Sequence, residues 1–173
     1  QKTAYEILTC DWSSDVCSSD LDDYVFVPNG FAKNKAENLA DYLDTSYVFT
    51  SIANTRLVGA LMVVNNHGIL IPRTSAQYEL EHLEKSTGLD VTVIDTKYTA
   101  LGNMIAANGK GAVVSPMISK ENVKKIEDAL DVEVIQKRVA GYHQVGAMVV
   151  ATDNGGVIHP ETDEKDKIGR AHV

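Results

Sequence analysis

The amino-acid sequence predicts an α/β fold built from a repeated unit of about 44 residues whose copies are arranged radially. Three observations predict it. Two glycine positions recur in register: Gly59, Gly102 and Gly146 are 43 and 44 residues apart, and so are Gly68, Gly111 and Gly155. Each recurring segment also has one layout: an apolar run, a polar turn, a short apolar run closed by proline, then an amphipathic stretch. Finally, apolar residues make up 44% of the chain and charged residues 23%, the balance of a globular domain and not of a disordered one.

The segments are 57–72, 101–116 and 145–160, ending at Pro72, Pro116 and Pro160. A partial copy, 24–28, places Pro28 another 44 residues before Pro72. In the unit 50–94, the apolar run 58–64 predicts a buried strand. Asn65, Asn66, His67 and Gly68 predict a turn, because Asn and Gly tolerate positive φ. Residues 69–71 predict a second strand, which Pro72 ends. Thr74 to Gln77 fits a Thr-x-x-Gln capping box opening a helix with Leu80 and Leu83 on one face. Gly88 stops that helix, and 91–94 predicts a strand. In the unit 95–137, Ser119 is the predicted N-cap, Val123, Ile126 and Leu130 the buried stripe, and 132–135 the closing strand. The half unit 22–49 carries Ala36, Leu39, Ala40 and Leu43 at the same spacing, and 138–166 forms a last half unit. A unit with one helix and three short strands must bury its open face against its neighbours, and circular closure protects the strand edges.

The two ends read differently. Residues 15–20 written as GAC GTG TGC TCT TCC GAT have the reverse complement ATC GGA AGA GCA CAC GTC, which translates to residues 168–173. Two antisense ends point to a ligated sequencing adapter, so a head of 1–21 and a tail of 167–173 are set aside from fold reasoning. Cys10, Trp12 and Cys17 fall in the head. The body, 22–166, therefore offers no disulfide, thiolate nucleophile or cysteine-based zinc site. Its 13 basic and 20 acidic residues argue against a basic clamp on nucleic acid. No apolar run approaches the roughly 20 residues of a membrane span.

Isolated chemical signals are weak. His67 lies in a polar turn, His82 on a helix face, and His143 and His159 in loop and strand-end positions, without converging ligands. Gly109, Lys110 and Gly111 lack the context of a phosphate-binding loop. Lys120, Lys124, Lys125, Lys137 and Arg138 alternate with Glu121, Glu127, Asp128 and Glu133, which reads as a solvated face. No metal and no cofactor is expected.

The residues carry a resemblance. Tyr98-Thr-Ala-Leu-Gly-Asn103, Gly109-Lys-Gly-Ala-Val-Val-Ser-Pro116 and Asn154-Gly-Gly-Val-Ile-His-Pro160 resemble the translation initiation factor 6 family, the ribosome anti-association factors. The resemblance runs through 22–166 in the family's order and is closest in wording to archaeal members. It implies a five-fold α/β propeller of the pentein type, of which about three of five units lie in this chain, a ring too short to close that leaves two bare apolar faces. It implies a cytoplasmic protein without enzymatic activity, monomeric at full length. Such a protein docks on the large ribosomal subunit beside ribosomal protein L14 and near the sarcin-ricin loop, blocks the small subunit, and acts in ribosome biogenesis. Asn103 matches a ribosome-facing position of the family, with Gly102, Leu101, Ala60, Ala147, Asn65 and Asn66 as further candidates for that surface. Asn103 reads equally well as a turn residue satisfying a backbone group, and Gly59, Gly102 and Gly146 as sites of close backbone approach. The rivals are a guanidine-modifying enzyme of the same fold, which needs a cysteine that the body lacks, and a general repeat scaffold.

Overall fold

The computed structural model describes residues 22–153 and 155–162; the set-aside head and tail lie outside them. The chain runs β1 (Tyr24–Pro28), α1 (Lys33–Leu43), β2 (Ser46–Thr50), a short α2 (Val58–Leu61), β3 (Val63–Val64), β4 (Gly68–Pro72), α3 (Gln77–Thr87) and β5 (Asp90–Ile94). It continues with a short α4 (Leu101–Met104), β6 (Ile105–Ala107), β7 (Gly111–Val114), α5 (Lys120–Leu130), β8 (Glu133–Gln136), a 3-10 turn (Val145–Ala147), β9 (Val149–Thr152) and β10 (Gly155–Ile158).

These strands form four separate sheets: β1-β2, β3-β4-β5, β6-β7-β8 and β9-β10. In both three-stranded sheets the first pair is antiparallel and the second parallel. A tight turn makes each antiparallel pair, and a helix, α3 or α5, makes each parallel crossover. β1 and β2 pair in parallel through α1.

The expected five-fold propeller is not what forms. The described residues make a small α/β domain with several small sheets and no closed propeller; no strand pairing joins the first sheet to the last. A repeat period reports that segments are alike. It does not report that they go round an axis, which is a property of packing between units.

Two local expectations are also corrected. Residues 58–64 are not one strand. Val58–Leu61 is a helical turn and only Val63–Val64 is extended. Val58 and Leu61, three apart, both point inward, and a short apolar run cannot separate helix from strand by periodicity. Likewise α3 is not capped by Thr74. Its N-cap is Ala76, whose N–H donates to the Glu79 carboxylate at 2.9 Å. Ser119 does cap α5, accepting from the Asn122 N–H at 3.3 Å, and Gly88 ends α3 at φ 73°.

The core explains how the sheets are held without shared strands. Phe26 and Val48 of the first sheet cluster with Leu83 of α3 and with Ile69 and Ile71 of β4. Leu70 of β4 points the other way and clusters with Ile126 and Leu130 of α5 and with Ala112 and Val114 of β7. Helices α3 and α5 are thus each wedged between the preceding sheet and their own. β4 is buried on both faces, which is why it reads as a continuous apolar run and not as an alternation. Each fully buried side chain of this kind contributes roughly 1.5–3 kcal/mol.

Candidate functional site

The three short turns stack. α2 packs on α4, and α4 on the 3-10 turn. A Cβ at Gly102 would lie 2.1 Å from the Gly59 carbonyl oxygen, and one at Gly146 would lie 2.0 Å from that of Gly102. Each glycine therefore accepts the backbone of the preceding turn where any side chain would sit. The stack carries five of the seven candidate docking residues.

The structure sorts those candidates. Asn103 is half-buried and, among the described residues, its side chain makes no hydrogen bond; the Asn103 N–H closes the turn onto the Ala100 carbonyl at 3.1 Å. Its side-chain amide is therefore not used in holding the described fold together. Ala147 is exposed and Ala60 half-buried. Leu101 is fully buried in the core, so it positions Gly102 and Asn103 and touches nothing outside.

Asn65 is also fully buried. Its Oδ1 accepts from the His67 and Gly68 N–H groups at 3.0 and 3.1 Å, and its Nδ2 donates to the carbonyls of Leu130 at 2.8 Å and Asn108 at 3.3 Å. Asn108, 43 positions on, repeats the arrangement: Oδ1 accepts from Lys110 and Gly111, and Nδ2 donates to Thr152 O at 3.0 Å. Asn66 is half-buried and exchanges hydrogen bonds with Asp22. These asparagines join one segment to the next. The glycine turn at 109–111 belongs to the same system, since the Gly109 N–H donates to Asp153 Oδ1 at 2.9 Å and Lys110 Nζ to Asp153 O at 2.7 Å.

Glu79 is a further buried polar residue beside this stack, and its role was not legible in the sequence. The residue is 1% exposed, and its carboxylate accepts from Ser51 Oγ and from the N–H groups of Ala53, Asn54 and Ala76, each at 2.9 Å. The signal was a glutamate three residues past a helix start, masked by the competing Thr74 reading. The turn it grips, with Ile52 bridged to Thr55, leads through Arg56 and Leu57 into α2.

The histidines do not converge. His67 and His82 are exposed, with His82 Nε2 at 2.7 Å from Phe49 O, and His159 lies against the Tyr142 ring. Among the described residues no group of three His, Cys, Asp or Glu side chains could hold a metal. Nor is any described helix long and apolar enough to cross a membrane. Lys125 pairs with Glu121 at 2.9 Å on the exposed face of α5.

An α/β chain whose sheets interlock through helices, with a stacked-turn surface, defines a class, and comparison with known proteins identifies it. The model of the eIF-6 family matches residues 16–168, and the chain belongs to that family. It is 58% identical over 125 residues to "Translation initiation factor 6" of Nitrosopumilus maritimus, covering 72% of this chain and 57% of that protein. It is 56% identical over 132 residues to the protein of the same name from Cenarchaeum symbiosum, covering 76% of this chain and 60% of that protein. The similarity extends to "Eukaryotic translation initiation factor 6" of Dictyostelium discoideum, at 40% identity over 139 residues, 79% of this chain and 56% of that protein. The chain thus spans under two thirds of the length of each of these relatives. Among solved structures, agmatine deiminase from C. jejuni aligns at a TM-score of 0.46 and 10% identity, over 73% of this chain and 49% of that one. A likeness of that degree supports neither the pentein fold nor its chemistry.

Proposed function

We propose that this protein is a ribosome anti-association factor: it occupies the large ribosomal subunit and excludes the small one by bulk, without catalysis. The observation that carries this reading is the family match across 16–168, joined to relatives named translation initiation factor 6. The stacked turns supply a docking surface consistent with it, since Asn103 and Ala147 are accessible there. The chain carries a net charge of -8, which suits docking chiefly on a basic ribosomal protein, with L14 near the sarcin-ricin loop as the proposed contact. The compartment is then the cytoplasm, the working form a monomer, and a part in large-subunit biogenesis follows from the same docking.

Fluorescence anisotropy of the labelled protein against purified large subunits tests the site. Asn103→Ser is expected to weaken binding by about tenfold, about 1.4 kcal/mol. The same variant should melt like the parent, because that side chain holds nothing within the fold. Unchanged affinity would make Asn103 a turn residue only.

A further inference from the structure

We infer that Glu79 is a positioning residue for the docking surface: its buried carboxylate sets the conformation of the turn at 52–55, and through it the presentation of Arg56 and Leu57. The inference rests on the docking reading above.

Ala53 and Asn54 have φ of 53° and 57°, the left-handed region that non-glycine residues avoid. Two consecutive residues of this kind, between bridged Ile52 and Thr55, make the tight turn of a two-residue hairpin, which normally calls on glycine. Here neither position is glycine. Glu79 supplies what the sequence lacks: Oε2 accepts the Ala53 N–H and Oε1 the Asn54 N–H, both at 2.9 Å, while Ser51 Oγ and the Ala76 N–H fill the remaining lone pairs.

A second turn of the same build lies further along the chain. The turn at 139–142 has the same bridge, Val139 to Tyr142, and the same handedness, with Ala140 at φ 49° and Gly141 at φ 78°. Among the described residues no side chain receives the Ala140 or Gly141 N–H.

The clamped turn is built to be seen. Asn54, Thr55 and Arg56 are exposed, Leu57 is 47% exposed, and Tyr78, beside Glu79 on α3, is 56% exposed with its hydroxyl on Asn54 Oδ1. Arginine and tyrosine are the side chains that dominate protein interfaces, and a rigid rim loses less entropy on binding. The turn runs straight into α2, which bears Ala60 and stacks on the Asn103 turn.

The test is Glu79→Gln, which turns one accepting oxygen into a donor facing an N–H. Hydrogen exchange at Ala53 and Asn54 is expected to quicken about tenfold or more while α5 stays protected. The affinity for purified large subunits, read well below the melting temperature, is expected to fall about tenfold. Adding Asn54→Gly, which recreates the 139–142 turn, is expected to restore affinity to within about threefold of the parent. A purely structural role would lower the melt and leave low-temperature affinity unchanged; that result, or a double variant without rescue, overturns the inference. If Glu79→Gln does not fold, Glu79→Asp, whose shorter arm cannot reach both amides, is read by the same measurements and against the same outcomes. A parent protein that binds no large subunits sinks the docking reading instead, while unchanged exchange at Ala53 and Asn54 in the variant sinks this one.

Discussion

Gly102→Ala lowers the unfolding free energy by about 3 kcal/mol or more, the largest single-residue effect expected in this chain. The added methyl would sit 2.1 Å from the Gly59 oxygen and 3.1 Å from both the Ala60 carbonyl carbon and its oxygen. All three are backbone atoms of α2, so no side chain can swing aside, and relief requires moving one turn off the next. Gly146→Ala meets the same obstacle, 2.0 Å from Gly102 O and 2.5 Å from Ile105 O. Gly155 is the control: a Cβ there meets nothing within 4 Å, and alanine should change stability by no more than about 0.5–1 kcal/mol. Urea unfolding followed by circular dichroism distinguishes the two. Equal stability of the Gly102 and Gly155 variants would show that the turns do not stack this closely.

Asn65→Asp is the second large effect, about 3 kcal/mol at neutral pH. The substitution keeps the shape and the acceptor for His67 and Gly68, but it removes the donor to Leu130 O and Asn108 O and places a charge where the residue has no exposure. A carboxylate aimed at two carbonyls has neither a partner nor water. Asn108→Asp, at the matching position, should cost less, roughly 1 kcal/mol, because Asn108 is half-buried and its Thr152 contact is exposed. The difference between these two isosteric changes, read by the same unfolding curves, measures how much the buried latch contributes. Equal costs would mean that the joint between segments lies elsewhere.

Both effects concern contacts between one repeated segment and the next, and this is where sequence reading divides. What depends on one short stretch was legible. Ser119 caps its helix through its own hydroxyl, Gly88 ends another by its left-handed φ, and Asn65 marks a turn because its side chain can imitate a backbone acceptor. What depends on a neighbouring segment was not. The spacing of Gly59, Gly102 and Gly146 was visible, and close approach was the natural reading, but that they touch one another could not be read from spacing. Nor could it be seen that the sheets stay separate, so the expected propeller failed at the level of packing while the units themselves were recognisable.

The candidate site divides in the same way. Asn103 stands out by motif and is accessible, whereas Asn65, chosen for a similar appearance in a turn, is consumed by four hydrogen bonds inside the fold. Polar residues in turns look alike in sequence, and only burial separates the latch at Asn65 from the accessible side chain at Asn103. Glu79 is the reverse case. A glutamate in the first turn of a helix ordinarily faces water, and nothing local reveals that the chain 25 to 28 residues earlier closes over it. Ala53 and Asn54 carry no glycine to announce a left-handed turn, so clamp and turn were missed together.

Sedimentation of the protein through a sucrose gradient with purified archaeal large and small ribosomal subunits tests the central claim most directly. An anti-association factor co-migrates with free large subunits, leaves small subunits and joined ribosomes unbound, and depletes the joined peak as its concentration rises. Migration with small subunits, or a protein that stays at the top of the gradient while the joined peak is unchanged, would contradict it.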